Sequence, residues 1–458
     1  MKKFTLLPFT KILFFLMWFG FHSQIQGQTW QQVPTPDASA TRNMLRGISG
    51  TSSSDIWTVG SFEENLTVPP FNKQNDLIMH WNGSAWFTYP PMNISQSLDD
   101  LFDVEAIAPN NVWAVGIYNH ITNASQAELL HFDGTSWQVQ NPPIVNGGSG
   151  LFSLDALSAN DIWAAGGKTS SPTRPAYVLH YNGSSWTDIP VPPIGLYRNQ
   201  FAWIDAVSPT SVWAGGFRGE TTGDFHALVM RWNGTSWQNI ALPASITTPQ
   251  SEVLSIKAIS DNDVWVLGYY LAGGAFKIHW NGSSWTEMPS PNGGGGAFAA
   301  IAPNNIFSVG SEIWHWDGTA WTLVDPIDTV FYPALVNTVT FPNGDVWACG
   351  ISMDATATIF HTLVYRNTNT LSSGGNPVVD ESVKIFPNPV KDQITVTLNN
   401  YIGTTLSIID SSDKVLEVIP QGVSNTVNLD LRNYSNGNYF LRIEGQGIID
   451  VKKVIISK

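Results

Sequence analysis

A tryptophan-containing segment recurs seven times along the chain, and this repeat constrains the fold more than any other feature. Each copy reads aromatic-x-x-Gly, with the aromatic residue at Trp57, Trp113, Trp163, Trp213, Trp265, Phe307 and Trp347. A second segment, His/Arg-aromatic-Asn/Asp-Gly-Ser/Thr-x-Trp, follows each of the first six copies. Most of the 20 Trp fall on three repeat positions, so the excess of Trp is periodic rather than diffuse.

Each repeat predicts four short β-strands. The first is apolar with alternation, as over 102–107, and the second carries the aromatic-x-x-Gly segment. Asn-Gly or Asp-Gly separates the third strand from the fourth, which is typical of a type I′ hairpin because both residues tolerate a positive φ. Four strands in every repeat are the pattern of a β-propeller blade, so we predict an all-β fold with a seven-bladed β-propeller.

The two ends of the repeat region predict how the ring closes. Trp30 occupies a fourth-strand position but precedes any first strand, whereas the last repeat ends at 363–367 without such a Trp. We therefore expect 30–33 to supply the outer strand of the last blade, which leaves only short sheet edges exposed. We expect the recurring Trp to fill the spaces between blades, the alternative being platforms on which sugars stack.

The chain changes character after the repeats. Residues 368–382 are polar and include Ser-Ser-Gly-Gly, which is typical of a linker. Residues 383–458 have no Trp and contain short alternating strands, which predict a small immunoglobulin-like β-sandwich. The predicted organisation is a leader over 1–27, a propeller over 28–367, the linker, and the sandwich.

Motifs in both folded parts resemble known families. The Trp repeat resembles the tryptophan-rich propellers of secreted bacterial proteins, and its hairpin has one residue fewer than the Asp-box of sialidases. In the sandwich, Lys-Ile-Phe-Pro-Asn-Pro at 384–389, Tyr-Ser-Asn-Gly-Asn-Tyr at 434–439 and the basic chain end resemble the C-terminal sorting domain of the type IX (Por) secretion system. That resemblance implies the type IX translocon and sorting machinery as partners, followed by release or attachment to surface lipopolysaccharide.

The amino terminus predicts a secretory signal peptide over 1–27. Two lysines precede an apolar run that is strongest over 12–21, and Ile-Gln-Gly at 25–27 offers a cleavage site. Lys11 interrupts the run, which favours cleavage over a membrane anchor, and no later segment is apolar enough to span a bilayer. With the sorting domain, this predicts a protein that is secreted or held on the outer cell surface.

Composition excludes several classes of partner. The net charge is −14 with only 13% charged residues, so we expect no nucleic-acid partner. The single cysteine, Cys349, cannot form an internal disulfide. The sequence contains no nucleophile elbow, phosphate loop, His-Glu-x-x-His or dinucleotide fingerprint. We therefore expect a monomer without a cofactor.

The long connections hold the first set of candidate ligand-binding residues. Connections between second and third strands, and between repeats, differ most along the chain, and in a propeller they lie on one face. Aromatic and arginine side chains predicted on this long-loop face suit contacts to a glycan, a peptide or a protein; local packing is the alternative. The candidates are Tyr118, His120, Tyr197, Arg198, Arg218, Tyr269, Tyr270 and Tyr332.

The first strands hold the second set. Aligning the repeats places Arg46, Glu105, Asp155, Asp205 and Lys257 at one position, where first strands line the central channel. Three adjacent carboxylates could hold a hard cation such as calcium, or act as acid and base. Alternatively, the charges pair between blades, Arg46 with Glu105 and Asp205 with Lys257.

Five histidines share a position on the third strand and do not predict a metal site. A seven-fold ring separates them by multiples of about 51°, well off its axis. They cannot converge on one ion at about 2 Å. They are His80, His131, His180, His279 and His315.

Three functional hypotheses follow from these patterns. The first is a non-enzymatic propeller that binds a glycan, peptide or protein through its long-loop face. The alternative is an extracellular polysaccharide hydrolase or lyase that uses the channel carboxylates, and the third is a structural surface-layer component. The lack of a catalytic signature favours the binder, and paired, buried charges in the channel would favour it further.

Overall fold

The computed structural model describes residues 30–65, 72–95, 98–119, 125–143, 145, 148–169, 174–221, 223–288, 296–325, 327, 331–368, 383–386, 390–398, 405–409, 415–420, 426–445, 448–456 and 458. The chain divides into two compact units, Met1–Thr370 and Leu371–Lys458. The predicted signal peptide and most of the predicted linker lie outside the described residues, so both stay predictions. Within the described residues, no helix has the length and apolar character needed to cross a membrane.

The first unit consists of seven four-stranded antiparallel sheets, the blades. Blade 1 comprises β2 (Asn43–Ser52), β3 (Asp55–Asn65), β4 (Asn72–Trp81) and β5 (Trp86–Tyr89). Blade 2 comprises β6 (Asp99–Ala108), β7 (Asn111–Asn119), β8 (Ser125–Phe132) and β9 (Trp137–Val139). Blade 3 comprises β10 (Ser149–Ser158), β11 (Asp161–Lys168), β12 (Ala176–Tyr181) and β13 (Trp186–Asp188).

The next three blades repeat this order. Blade 4 comprises β14 (Arg198–Ser208), β15 (Ser211–Thr221), β16 (Asp224–Trp232) and β17 (Trp237–Asn239), and the short helix α1 (Ala244–Thr247) follows it. Blade 5 comprises β18 (Ser251–Ser260), β19 (Asp263–Tyr270), β20 (Ala275–Trp280) and β21 (Trp285–Glu287). Blade 6 comprises β22 (Ala297–Ala302), β23 (Asn305–Val309), β24 (Ile313–Trp316) and β25 (Trp321–Asp325).

Blade 7 joins the two ends of the propeller. It contains β26 (Phe331–Thr340), β27 (Val346–Met353), β28 (Phe360–Asn367) and, at its outer edge, β1 (Trp30–Gln32). β1 pairs antiparallel with β28, with Trp30 opposite Asn367 and Gln32 opposite Tyr365. The first strands also contact one another in a closed circle, from β2 through β6, β10, β14, β18, β22 and β26 back to β2. The predicted seven-bladed ring and its closure are confirmed.

Aromatic contacts fill the space between neighbouring blades, as predicted. The second-strand aromatic ring of one blade meets the fourth-strand Trp of the next; Trp57 and Trp137, for example, have ring centroids 5.6 Å apart and an interplanar angle of 80°. The same contact recurs around the ring as Trp113–Trp186, Trp163–Trp237, Trp265–Trp321 and Trp347–Trp86. The edge-to-face geometry is the one favoured by the ring quadrupoles. Trp30 completes the series against Phe307 at 5.4 Å.

The hairpins are confirmed, but the predicted turn type is wrong. Trp81 lies opposite Trp86, so the loop has four residues rather than two. The Asn82 side-chain oxygen accepts the backbone N–H groups of Ser84 and Ala85, each at 3.0 Å, and only Gly83 has a positive φ, of +92°. Because the Asn side chain itself bridges the turn, one left-handed residue suffices, whereas a type I′ turn requires two.

The connections on the long-loop face are shorter than the sequence suggested. The second and third strands continue past the aromatic-x-x-Gly segment, so β15 ends at Thr221 and β16 begins at Asp224. Only a tight turn separates these two strands. Several candidate residues therefore lie on strands, which hold their side chains more rigidly than loops would.

The second unit is the small β-sandwich that the sequence predicted. One sheet contains β29 (Val383–Phe386), β30 (Gln393–Leu398) and β33 (Thr426–Asp430). The other contains β31 (Thr405–Ile409), β32 (Val415–Pro420), β34 (Gly437–Gly445) and β35 (Ile448–Ile456). Buried side chains from both sheets, including Ile394, Leu429, Leu406 and Leu441, form one core.

Replacing the closing aromatic residue should destabilise the propeller. Trp30 is only 7% exposed and packs on Phe307, so Trp30→Ala is expected to lower the free energy of unfolding by about 3–5 kcal/mol. Phe87→Ala is the matched control, because Phe87 is 53% exposed on an outer strand and its loss should change stability by less than about 0.5 kcal/mol. Urea unfolding monitored by Trp fluorescence measures both, and equal stabilities would contradict the closure by β1.

Candidate functional site

The recurring histidines brace the blades and do not form a site. In blade 3 the centres of the His180 and Trp163 rings are 4.4 Å apart. Asp161 joins the two rings, because one of its carboxylate oxygens is hydrogen-bonded to His180 Nε2 at 2.8 Å and accepts the Trp163 Nε1–H at 2.9 Å. Histidines at the same position repeat this stacking in four other blades, as His80, His131, His279 and His315. Arg231 over Trp213 and Arg366 over Trp347 replace the histidine in blades 4 and 7.

A polar cavity of about 240 Å³ lies where the first strands meet. Glu105, Asp155, Asp205 and Lys257 all line it, so the structure brings together four of the five residues that the repeat alignment placed there. Asp103 lines it as well and was missed, because it lies two residues before the aligned position. Its side chain reaches the cavity because residues i and i+2 of a strand share a face.

Hydrogen bonds tie these carboxylates to neighbouring blades. Asp155 accepts the N–H of Ala206 in blade 4 at 2.6 Å, and Asp205 accepts the N–H of Ala258 in blade 5 at 2.7 Å. Asp205 also pairs with Lys257 at 3.2 Å, which confirms the predicted pairing of these two charges. The first-strand carboxylates therefore join blades to each other in addition to lining the cavity.

Asp103 links three blades. It accepts hydrogen bonds from the N–H of Leu154 in blade 3 and from the side-chain amide of Asn337 in blade 7, each at 3.0 Å. Blade 1 lies between blades 2 and 7, and Gly47 on its first strand leaves room for the hydrogen bond between Asp103 and Asn337. A Cβ at that position would come within 2.6 Å of the Asp103 Cα, so only glycine is compatible with this contact.

Burial favours the neutral form of the cavity carboxyl groups. It raises the pKa of Glu105 to about 8, with the charges of Asp155 and Asp103 acting in the same direction. Burial and the Asp205 charge raise the pKa of Asp155 to about 7, and burial raises that of Asp103 to about 7. The Asp205 carboxylate raises the pKa of Lys257, which stays charged. Uncharged carboxyl groups beside one lysine make the cavity less acidic than its composition suggests.

Arg46 does not belong to this cavity, and its predicted pairing with Glu105 is wrong. The pairing register puts Ser49 opposite Trp57, as Glu105 is opposite Trp113, so Ser49 is the equivalent residue. The repeats were aligned on the last apolar residue of each first strand. Blade 1 lacks an apolar residue at that position, so the alignment selected Arg46, three residues before Ser49. Arg46 lies in a β-bulge and forms a salt bridge with Asp100 at 3.0 Å.

Three candidate residues of blades 3 to 5 form one group, the arginine–tyrosine cluster. It contains Tyr197, Arg198 and Tyr269, joined by Arg174 and Glu252, which sequence analysis missed. Arg218 lies on the opposite face of the β14–β15 ladder from Arg198, and Tyr270 on the opposite face of β19 from Tyr269. The side chain of Arg174 lies 5.3 Å from the centre of the Tyr197 ring, and that of Arg198 lies 5.2 Å from the Phe217 ring. The remaining contact that defines the cluster joins Tyr269 to Glu252 at 3.0 Å.

Backbone pairing fixes the positions of these side chains. Asn199 is opposite Arg218 in the β14–β15 ladder, and its N–H donates to the Arg174 carbonyl oxygen at 2.9 Å. The N–H of Tyr197 donates to the carbonyl oxygen of Gly219, also at 2.9 Å. Arg218 in turn pairs with Glu220. The connection that carries Arg174 in blade 3 is thus held against the start of β14, where Arg198 lies.

Other candidates lie apart from this cluster. Tyr118 is on β7 of blade 2, opposite Asp99, and Tyr332 is 64% exposed on blade 7. His120 lies outside the described residues. Between blades 1 and 2, Asp76 and Glu128 are buried beside Asp99 and Asp100; burial first, and neighbouring carboxylates next, raise the pKa of Asp76 to about 8 and that of Glu128 well above its usual range.

The sequence left open a calcium site on the channel carboxylates. Among the described residues, no three or more His, Cys, Asp or Glu side chains are arranged to hold a metal ion. The cavity carboxylates instead accept protein donors: backbone N–H groups for Asp155 and Asp205, the Ser49 hydroxyl for Glu105, and the Lys257 ammonium group for Asp205. The oxygen ligands that a hard cation requires are thereby directed to other partners.

Comparison with protein families identifies the second unit. Residues 384–457 match the family described as the secretion system C-terminal sorting domain, which confirms the resemblance seen in the sequence. The chain therefore carries the address for type IX export, to the cell surface or beyond it. Among curated proteins, no sequence matches the chain.

Solved structures similar to the chain are distant in sequence. YCF48 from Cyanidioschyzon merolae is 14% identical, with a TM-score of 0.49 and coverage of 75% of this chain and 99% of that one. YCF48 bound to D1 peptide is 17% identical, with a TM-score of 0.49 and coverage of 74% and 97%. The six-bladed β-propeller lectin of Aleuria aurantia is 13% identical, with a TM-score of 0.35 and coverage of 58% and 95%.

The cavity carboxyl groups should make stability fall with rising pH. The folded-state pKa of Glu105, about 8, lies above its ordinary value of 4.5. Its contribution is therefore fully present below about pH 4.5 and is lost as the pH rises through about 8, with a slope approaching 1.4 kcal/mol per pH unit. Glu105→Gln should flatten the fall in the free energy of unfolding between pH 5 and pH 8.5.

Glu287→Gln is the control for this prediction, since it removes an exposed carboxylate from an outer strand. It should leave the pH dependence of the wild type unchanged. Urea titrations at a series of pH values compare the three proteins. A slope in Glu105→Gln equal to that of the wild type would contradict the raised pKa of this group.

Removing the sorting domain should block the last step of export. A chain without 383–458 but with its amino terminus intact is expected to accumulate in the periplasm, because its outer-membrane address is missing. Cell fractionation followed by immunoblotting compares it with the full chain carrying the same epitope tag. Surface display of the truncated chain at the normal level would contradict the sorting role.

Proposed function

We propose that this exported β-propeller is a binding protein that holds an acidic extracellular glycan against its arginine–tyrosine cluster. The observation that carries this proposal is the approach of Arg174 of blade 3 and Arg198 of blade 4 beside Tyr197, in a chain whose net charge is −14. Guanidinium groups bind carboxylates in a bidentate manner, and tyrosine rings provide faces for sugar rings. An acidic sugar chain offers both features in each unit.

The cluster is organised before any ligand arrives. Arg174 is held over Tyr197, and Arg198 over Phe217, by cation–π contacts. Both residues of the Arg174–Tyr197 pair are also tied through backbone hydrogen bonds to β14 and β15. Because little side-chain entropy remains to be lost, a modest number of contacts can give useful affinity.

The charges of the cluster favour an anionic ligand. Burial raises the pKa of Glu252, although Tyr269 and Arg198 act in the opposite direction. Within the described residues, Arg174 has no carboxylate partner. One arginine therefore remains for a ligand carboxylate without displacing an internal pair, and a neutralised Glu252 would add to that preference.

One observation favours the alternative, a polysaccharide hydrolase. Glu105, with a pKa raised to about 8, lies in the central cavity with Lys257 and Trp203, and a protonated carboxyl group could act as a general acid. Against it stand the bonds of Asp155 and Asp205 to neighbouring blades and the pairing of Asp205 with Lys257. Carboxylates that already join neighbouring blades are less available for catalysis, which favours a binding function.

Removing one arginine should weaken binding to a polyuronate. Arg174→Gln and Arg198→Gln are each expected to lower the affinity for soluble polygalacturonate about tenfold, because loss of a charge-assisted pair costs on the order of 1.4 kcal/mol. Arg42→Gln is the matched control: it removes the same charge from an exposed residue that lies over Phe360, away from the cluster. Isothermal titration calorimetry at constant ionic strength measures all three variants.

The outcomes separate the possible functions. Equal affinity in the wild type and both cluster variants would overturn the proposal. Binding of poly-glutamate without binding of polygalacturonate would make the ligand an acidic peptide. Release of reducing ends from polygalacturonate, lost in Glu105→Gln, would replace the binder by a hydrolase that works from the central cavity.

A further inference from the structure

A second cavity lies at the seam where the two ends of the propeller meet. Its volume is about 380 Å³, and we call it the seam cavity; Gln32, Thr35, Asp37, Phe331, Asp354 and His361 are among the residues that line it. This volume is within the range of small-molecule sites. The lining combines the segment after β1 with the ends of β26, β27 and β28, so it exists only because the ring closes through β1.

Asp37 fixes the polar wall of the seam cavity. One of its carboxylate oxygens accepts the Thr362 N–H at 3.0 Å, and the other bonds to His361 Nδ1 at 2.6 Å. Thr35 and Thr362 join their hydroxyl groups at 2.8 Å. The segment after β1 is thereby held against β28. Within the described part of the chain, His361 Nε2 has no protein partner, and this side chain is 40% exposed.

Phe331 forms the apolar side of the same cavity. Its side chain is 59% exposed at the start of β26, opposite Met353 in the β26–β27 ladder. A phenylalanine this exposed beside a polar wall leaves the face of its ring accessible. An aromatic face opposite hydrogen-bonding groups is the arrangement that suits the apolar face and the hydroxyl groups of a pyranose ring.

The charges of the lining exclude an acidic ligand. Asp37 and Asp354 contribute two carboxylates, His361 contributes an imidazole, and the lining contains no lysine or arginine. Hydrogen bonds from the Thr356 hydroxyl and the Ile359 N–H lower the pKa of Asp354, so this carboxylate is ionised. Hydroxyl groups can donate to such carboxylates, whereas a ligand carboxylate would be repelled.

We propose that the seam cavity binds one neutral sugar residue, with its ring on Phe331 and its hydroxyl groups directed to Asp37, His361 and Gln32. This site is distinct from the arginine–tyrosine cluster, because it belongs to blade 7 and the cluster belongs to blades 3 to 5. The two sites also demand opposite ligand charges. The protein would then hold a neutral sugar at one edge of the ring and an acidic sugar at another.

Saturation-transfer-difference NMR tests this site on the full mature chain. The probes are the methyl pyranosides of glucose, galactose, mannose and N-acetylglucosamine, each at millimolar concentration. At least one should receive saturation at its ring protons, and Phe331→Ala should weaken that binding about three- to tenfold, the range expected for one aromatic contact. Phe87→Ala removes a similarly exposed phenylalanine from blade 1 and should have no effect.

The experiment distinguishes several outcomes that would contradict the proposal. No saturation transfer to any of the four glycosides would overturn the seam cavity as a sugar site, as would transfer that is undiminished in Phe331→Ala. Binding of methylammonium in place of the glycosides would make it an amine site. Arg174→Gln should leave glycoside binding intact, so a failure of polygalacturonate binding alone would count only against the cluster.

Discussion

The contact between the second-strand ring of one blade and the fourth-strand Trp of the next is the interaction on which the ring depends. A ring has as many interfaces as blades, and a single open interface exposes two sheet faces at once. Trp30 fills the interface that the repeats alone would leave open, by packing on Phe307. With the predicted cleavage after 27, Trp30 would be the third residue of the mature chain, directly after the signal peptide.

Positions that recur in the repeat serve the architecture, whereas departures from the repeat provide the candidate sites. An aromatic ring against a histidine recurs in five blades and joins strands within them. The channel carboxylates Asp155 and Asp205 do the same between blades. In contrast, Arg174, Arg218 and Phe331 have no counterparts at the same positions of the other blades. The same packing contact can recur in every blade, whereas an asymmetric ligand requires side chains that differ between blades.

Sequence reasoning succeeded where the repeat could be read locally. The strands, the closing strand β1 and both sheets of the sandwich followed from alternation, turn dipeptides and counting. It failed at Arg46, because the β-bulge and the missing apolar residue of blade 1 shift the register by three. It also missed Arg174 and the seam cavity, because these depend on which connections converge in space. Asp37 and His361, for example, are 324 residues apart.

The charge distribution sets the conditions under which a polyanion can bind. The net charge of −14 repels an acidic glycan at long range, while Arg174 and Arg198 attract it only at contact. Added salt screens the distant repulsion first, since the Debye length is about 8 Å at physiological ionic strength, and it screens a guanidinium–carboxylate contact of about 3 Å much less. Moderate salt should therefore accelerate association without abolishing the complex, the reverse of what a basic propeller would do.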